Sequence, residues 1–306
     1  MNKAFVYPGQ GSQYVGMGKD LYELFPEAKE IYEKANEILG FELTVASFNG
    51  PEETLKQTFI TQPAIFTHSI VLTKLAEKKL TPNFTAGHSL GEYTALVCAG
   101  ALSFEEGLKL VKFRGELMQR AGEEQKGTMA AIMGLDPQKL EEICKEASSA
   151  GIVQVANFNS PGQIVISGSV EGVRKAMEIA KTNKAKLVKE LVVHGAFHSP
   201  LMEPAKEEFK KALDAAPVNN VRIPVYANVT GKPITPDTPI DNIKDLLYNQ
   251  LTSSVRWEES IRNMINDGAL EFIELGPGKV LQGLIKRINN SVATAGFDKA
   301  EDLDNL

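Results

Sequence analysis

The most informative stretch of this sequence is Gly87-His88-Ser89-Leu90-Gly91. It fits the pattern G-x-S-x-G, in which a strand turns sharply into a helix and holds a serine hydroxyl above the backbone. Residues 84–86 are suited to the end of that strand, and residues 90–99 to the helix. The backbone N–H after the serine then lies at the positive end of the helix. Such a turn suits attack on a carbonyl and stabilisation of the resulting oxyanion.

Strands and helices alternate on both sides of this turn. Residues 3–7 are typical of a buried strand, and residues 8–13 form a loop by composition. Helical patterns cover residues 17–40, 62–80 and 104–121. This alternation predicts an α/β fold with a parallel sheet, similar to that of the α/β-hydrolases.

The middle of the chain has a different pattern. Residues 126–193 predict the order β-α-β-β-α-β, which is ferredoxin-like. The α/β pattern then resumes, with a strand at 221–227, a helix near 241–251 and a last strand at 271–275. We therefore expect a large catalytic domain, residues 1–125 and 194–306, that carries a small inserted domain, residues 126–193.

Composition excludes several classes of function. The net charge is -6 and basic residues are scattered, which argues against a nucleic-acid-binding face. The two cysteines, Cys98 and Cys144, provide neither a disulfide framework nor a zinc cluster. The sequence shows no signal peptide and no apolar run of membrane-spanning length, so a soluble cytoplasmic protein is expected.

A serine nucleophile needs a base, and histidine is the usual one. The candidates are His68, His88, His194 and His198. His88 adjoins Ser89, so its side chain should point away from the hydroxyl, and His68 lies among apolar residues of a helix. His198 precedes a predicted helix start, Ser199-Pro200, where the small domain returns to the large one. We expect His198 to be the base, with His194 as second choice and a structural loop histidine as the alternative.

Arg114 lies on the apolar face of its helix. Its neighbours at helical spacing are Leu110, Val111, Leu117 and Met118. An unpaired buried charge is costly, so an anionic partner is expected for this guanidinium. That partner is either a protein carboxylate or a substrate carboxylate held by parallel hydrogen bonds, and an arginine that reaches solvent is a third reading.

Two glutamines are further candidates. Gln10 lies between two glycines at the end of the first strand, where ligands bind in parallel sheets, and its backbone N–H could serve an oxyanion. The group that orients the histidine is not evident, because Glu203, Asp241 and Asp245 are equally unmarked. Gln250, at the end of an apolar helix, is a neutral alternative.

Taken together, these motifs resemble the malonyl-CoA:acyl carrier protein transacylases, which are related to polyketide synthase acyltransferase domains. The resemblance extends from the first strand to about Ile288. The segments that match are residues 8–13, 87–93, Arg114 with Met118-Gln119, residues 157–163, Phe197-His198-Ser199-Pro200-Leu201-Met202 and residues 276–281.

The resemblance implies a role for each matching residue. Ser89 corresponds to the nucleophile, His198 to the general base, and Gln10 and Leu90 to the backbone donors of the oxyanion hole. Arg114 corresponds to the residue that binds the malonyl carboxylate. Gln250 corresponds to the residue whose backbone carbonyl orients the imidazole, and Phe197 to a position that favours malonyl over methylmalonyl. The role of Asn159 is left open.

The implied activity is transfer of malonyl from malonyl-CoA to the phosphopantetheine thiol of acyl carrier protein, as an acyl-carrier-protein S-malonyltransferase of fatty-acid synthesis. No metal and no cofactor is implied, and a monomer is expected. The alternatives are a malonyl transferase that serves a polyketide synthase, a serine acyl hydrolase, and a non-catalytic subunit that docks carrier protein.

Overall fold

The strands form two separate sheets in the computed structural model, which describes residues 2–193 and 195–304. The strands are β1 (Lys3–Tyr7), β2 (Phe84–Gly87), β3 (Gly127–Met133), β4 (Val153–Ser160), β5 (Gln163–Ser169), β6 (Leu187–Glu190), β7 (Val225–Tyr226), β8 (Pro233–Ile234), β9 (Glu271–Leu275) and β10 (Ala293–Phe297). The larger sheet has the order β10-β9-β1-β2-β7-β8, and the smaller one the order β4-β5-β3-β6.

Helices connect the strands and cover the sheets. They are α1 (Lys19–Leu24), α2 (Pro26–Leu39), α3 (Leu43–Asn49), α4 (Glu52–Leu55), α5 (Thr58–Ala76), α6 (Gly91–Cys98), α7 (Phe104–Glu124), α8 (Pro137–Ala147), α9 (Val170–Thr182), α10 (Glu203–Ala215), α11 (Ile240–Gln250), α12 (Trp257–Asn266), α13 (Val280–Ile288) and α14 (Ala300–Leu303), with a short 3₁₀ turn at Pro200–Met202. None of these described helices combines the length and apolarity needed to cross a membrane.

The larger sheet is parallel except at its β7–β8 edge. Strand β1 lies inside it and is buried on both faces, as expected of a parallel strand covered by helices. Phe5 and Tyr7 pack into the core on the side of α5 and α7. Ala4 and Val6 pack on the opposite side, against α12 and α13. This alternation follows from the two-residue period of a strand.

Parallel pairing of β1 with β2 places their carboxyl ends side by side, with Tyr7 opposite Gly87. The loop that follows β1 therefore lies next to the turn that follows β2. The His88 N–H donates to the Tyr7 carbonyl at 3.0 Å, which ties the two connections together. Functional groups from two distant parts of the sequence thus meet at one edge of the sheet, as is usual for ligand sites in such folds.

The smaller sheet is antiparallel, and α8 and α9 cover one of its faces. Its chain order, β3-α8-β4-β5-α9-β6, is the ferredoxin-like order predicted from the sequence. The predicted fold class is therefore confirmed: a parallel-sheet α/β fold with a separate antiparallel sheet. The division into domains at residues 126 and 193 stays a prediction.

Several predicted boundaries were wrong. The helix predicted over 17–40 is two helices, because Pro26 begins the second and Phe25 before it is extended. The helix predicted over 62–80 is α5, which starts and ends about four residues earlier. The strand predicted over 221–227 shrinks to the two residues of β7.

The strand at 271–275 is not the last one. Strand β10 follows it and pairs with it in parallel at the edge of the larger sheet. Most side chains of its sequence, Ala293-Thr294-Ala295-Gly296-Phe297, are small, and all of these residues except Phe297 are exposed or half-buried. It therefore lacks the continuous branched and apolar pattern by which a strand is recognised in a sequence.

Candidate active site

Ser89 lies at the sharp turn between β2 and α6. Its φ is 51°, a left-handed value that is strained for a residue with a side chain. The flanking glycines make the turn possible. A Cβ on Gly87 would lie 1.8 Å from the backbone carbon of Gly91, and a Cβ on Gly91 would lie 2.2 Å from the Tyr7 carbonyl oxygen. At the predicted nucleophile elbow, backbone segments therefore pack so closely that only glycine fits at positions 87 and 91.

Gly87→Ala is expected to lower the free energy of unfolding by about 3 kcal/mol or more, because backbone atoms cannot yield to the new methyl group. Denaturant titration at unchanged m value measures this. Gly283→Ala is the matched control: Gly283 is an exposed residue of α13 whose added Cβ meets nothing within 4 Å. That change should stabilise the protein by about 0.5–1 kcal/mol. Equal stability of Gly87→Ala and the unaltered protein would contradict the packing.

Asn228 holds the turn from the neighbouring strand connection. Its Oδ1 accepts from the Ser89 N–H at 2.7 Å, and its Nδ2 donates to the Gly87 carbonyl at 2.7 Å. The N–H of Ser89 is therefore occupied. The N–H groups of Leu90 and Gln10 donate to no partner within the described ranges, so both remain available to a ligand. Sequence reasoning missed Asn228; its only signal is a polar residue directly after a short buried strand.

His198 lies beside the serine. Its Nε2 is 2.8 Å from Ser89 Oγ, and its Nδ1 is 2.9 Å from the Gln250 backbone carbonyl oxygen. Because a carbonyl can only accept, Nδ1 carries the proton and Nε2 is left to accept from the hydroxyl. Burial, reinforced by the Arg114 cation, lowers the pKa of His198 to about 3. The imidazole is therefore neutral and able to take a proton.

Arg114 projects from α7 toward the same hydroxyl and is fully buried. Its Nη2 donates to Ser89 Oγ at 3.1 Å and to Gln250 Oε1 at 2.9 Å, and its Nη1 donates to Gln62 Oε1 at 2.8 Å. The Tyr93 ring lies 5.5 Å from the guanidinium carbon. Among the described residues, no carboxylate forms an ion pair with Arg114. The guanidinium is thus held by neutral groups.

These groups converge on a cavity of about 650 Å³. Of the residues predicted for the site, its lining includes Gln10, Ser89, Leu90, Arg114, Phe197 and His198. Gln250 lies behind them, fully buried, and contacts the site through its carbonyl and its amide. Met129 and Val165 of the smaller sheet also line the cavity. The cavity is therefore formed between the two sheets.

The remaining histidines lie elsewhere or outside the described residues. His88 points away from the serine, as expected: its Nε2 is 2.8 Å from Asn159 Oδ1, and its ring packs on Trp257. His68 is a buried core residue whose Nε2 is 2.9 Å from Asp298 Oδ1. His194 lies outside the described residues. Glu203, Asp241 and Asp245 make no hydrogen bond to His198 in the described ranges, because Gln250 occupies Nδ1.

Glu92 was also missed by sequence reasoning. It lies in the first turn of α6 and is 1% exposed. Burial raises the pKa of its carboxyl to about 7, against hydrogen bonds from Gln250 and Asn228 that favour the ionised form. The available signal was an acidic residue three positions after the nucleophile in an otherwise apolar helix.

Comparison with known proteins places the chain among acyltransferases. The family model described as acyl transferase domain matches residues 4–301. Malonyl CoA-acyl carrier protein transacylase of Bacillus subtilis is 48% identical over 303 residues, which is 98% of this chain and 95% of that protein. The Haemophilus influenzae protein of the same name is 44% identical over 288 residues, 93% of this chain and 91% of that protein.

Solved structures agree. The crystal structure of an acyl carrier protein S-malonyltransferase from Vibrio cholerae has a TM-score of 0.95 at 41% identity and covers 100% of this chain and 99% of its own. A malonyl-transacylase in complex with a type II polyketide acyl-carrier protein has a TM-score of 0.95 at 38% identity, over 100% of this chain and 98% of its own. The chain, with its glycine-bounded serine turn and its two-sheet cavity, belongs to the acyl transferase domain family.

Proposed function

We propose that this chain transfers the malonyl group from malonyl-CoA to the phosphopantetheine thiol of acyl carrier protein, through a malonyl ester on Ser89. One observation carries this proposal. The Ser89 hydroxyl oxygen lies 2.8 Å from a neutral imidazole nitrogen and 3.1 Å from a buried guanidinium nitrogen. The first suits removal of a proton from the hydroxyl, and the second suits a carboxylate on the acyl group that the hydroxyl receives.

In the first half-reaction, His198 Nε2 takes the Ser89 proton as Oγ attacks the thioester carbonyl. The oxyanion that forms accepts hydrogen bonds from the backbone N–H groups of Gln10 and Leu90. Collapse breaks the carbon–sulfur bond, and the coenzyme A sulfur leaves with the proton from His198. The Gln250 carbonyl stabilises the imidazolium that exists between these proton transfers.

In the second half-reaction, the carrier-protein thiol gives its proton to His198 and attacks the malonyl ester. The ester bond breaks, and Ser89 recovers its proton. Arg114 binds the free carboxylate through both steps and so orients the acyl group. We propose that residues 126–193 form a small domain and that this domain, as one wall of the cavity, limits the access of water. Water would otherwise compete with the thiol for the malonyl ester.

Phe197 is proposed to favour malonyl over branched extenders. It lines the cavity and is 6% exposed, so its ring occupies space that an α-methyl group needs. Phe197→Ala is expected to raise the relative kcat/KM for methylmalonyl-CoA over malonyl-CoA about 10- to 100-fold, since one methyl group discriminates by roughly 1–3 kcal/mol. Competition between the two thioesters measures the ratio. An unchanged ratio would remove Phe197 from the selectivity determinants.

The main experiment is incubation with radiolabelled malonyl-CoA, with and without phosphopantetheinylated carrier protein. Label on Ser89 that passes to the carrier supports the proposal. Release of free malonate indicates a hydrolase, and absence of serine-bound label indicates a docking subunit.

Parallel assays with fatty-acid and polyketide carrier proteins decide which pathway is served. The relative whose structure contains a polyketide carrier protein makes the second carrier worth testing. Fatty-acid synthesis in the cytoplasm, by a monomer that needs no cofactor, is the setting we propose.

A further inference from the structure

A buried carboxylate lies behind the cation of the active site. Glu92 Oε2 accepts from Gln250 Nε2 at 2.5 Å, and its Oε1 accepts from the Asn228 N–H at 3.3 Å. Both partners are neutral donors. The Glu92 side chain lies next to the serine turn, and its carboxylate makes no ion pair within the described ranges.

The Gln250 amide joins this carboxylate to Arg114. Its Nε2 donates to Glu92, while its Oε1 accepts from Arg114 Nη2 at 2.9 Å. The amide orientation is fixed, because the Arg114 guanidinium at its Oε1 can only donate, and the Ser89 carbonyl, to which its Nε2 also donates at 3.0 Å, can only accept. Cation and anion are thus one amide group apart, instead of in direct contact.

This separation has a consequence for substrate binding. A direct ion pair would satisfy the guanidinium and compete with any substrate carboxylate. An isolated buried cation would bind a carboxylate strongly but would itself be costly to bury. An anion that is separated from the guanidinium by one amide group offsets part of the positive charge of Arg114. It also leaves the guanidinium accessible from the cavity.

We propose that Glu92 is the internal counter-charge of Arg114, a positioning residue that sets how strongly the site prefers acyl groups with a free carboxylate. This rests on the proposed function of Arg114 as the malonyl-binding group. Ionised Glu92 and the malonyl carboxylate compete for the field of one cation. Binding of malonyl therefore favours protonated Glu92, so that a fraction of a proton is taken up from solvent as the site fills.

The charged groups around Glu92 allow this titration to be isolated. Arg114 of α7 and Tyr93 of α6 interact electrostatically with Glu92, and His198 interacts in the same way with Arg114 and His88. The pKa of Tyr93 is raised well above its usual value, that of His198 is lowered to about 3, and burial lowers that of His88. Glu92, with a pKa of about 7, therefore changes charge between pH 6 and 8, whereas Tyr93 stays neutral and His198 stays unprotonated over that range.

The test measures the ratio of kcat/KM for malonyl-CoA to that for acetyl-CoA, from pH 6 to 8. Acetyl-CoA is the internal reference, because the coenzyme phosphates, His198 and the serine turn act on both substrates. At pH 6 Glu92 is mostly neutral and leaves the Arg114 cation available to the substrate carboxylate; at pH 8 Glu92 is mostly ionised. The ratio should fall about fivefold from pH 6 to 8, as follows from about tenfold coupling between the proton and the carboxylate.

Glu92→Gln removes the charge and nearly preserves the shape. We expect the ratio to become independent of pH and to exceed that of the unaltered protein about fivefold at pH 8. Glu274→Gln is the matched control: Glu274 is another fully buried carboxylate, but it accepts from Leu281 and Gln282 and has no bond to Gln250 or Arg114. That variant should keep the pH dependence of the unaltered protein.

A flat ratio in the unaltered protein, or a ratio in Glu92→Gln that is lowered or still pH-dependent, would overturn the proposal. A purely structural role of Glu92 would reduce transfer of both acyl groups and leave the ratio as it was, which also counts against it. If Glu92→Gln fails to fold, the pH dependence of the unaltered protein decides. Absence of any malonyl transfer by the unaltered protein would instead reject the proposed function, and with it this inference.

Discussion

Ser89→Ala is expected to lose malonyl transfer by at least about 10⁴-fold, the loss typical when a serine nucleophile is removed. The methyl group cannot form the ester, and the Nε2 of His198, 2.8 Å from the missing oxygen, has no proton to take. Radiolabelled malonyl-CoA followed by denaturing gel electrophoresis measures the covalent intermediate. No label should remain on the variant, with or without carrier protein.

A second serine of the same cavity provides the control. Ser12 lines the cavity, but its Oγ donates to the Gly9 carbonyl at 2.8 Å and makes no hydrogen bond to a histidine among the described residues. Ser12→Ala should therefore still form the malonyl ester. Labelling of Ser89→Ala at the level of the unaltered protein would mean that another residue is the nucleophile.

Arg114→Ala is expected to lower kcat/KM for malonyl-CoA about 10²- to 10³-fold, because a buried, charge-assisted contact to the carboxylate is lost. Transfer of acetyl should rise relative to malonyl, since acetyl has no carboxylate to leave unpaired. Competition between malonyl-CoA and acetyl-CoA measures this change of preference. An unaltered preference would refute the binding of malonyl by Arg114.

Two further variants distinguish charge from geometry at this position. Arg114→Lys keeps the charge but cannot donate through a planar fork to Gln62, Gln250 and a substrate at once, so it should recover only part of the preference. Arg120→Ala removes an exposed arginine of the same helix that pairs with Glu208, and it should leave the preference as it was.

The serine turn was predictable because its determinants are local. Gly87 and Gly91 flank Ser89 within five residues. The backbone atoms that an added Cβ would meet at 1.8 and 2.2 Å belong to the turn itself and to the adjacent strand. Arg114 was singled out by helical periodicity, which predicts that its side chain is buried but not what it contacts. His198 was chosen by elimination among four histidines and by the helix start after it.

The sequence by itself therefore determined the fold class, the strained turn and the kinds of side chain available for chemistry. Only the tertiary structure decided which of them meet: Gln250 and Asn228 reach the turn from more than a hundred residues away, and Glu92 becomes a partner of Arg114 solely through the Gln250 amide. The physical reason is that backbone geometry depends on neighbouring residues, whereas contacts across the sheet depend on strand order. The order β9-β1-β2-β7 brings β7 and the connection after it beside the serine turn, and no local pattern encodes it.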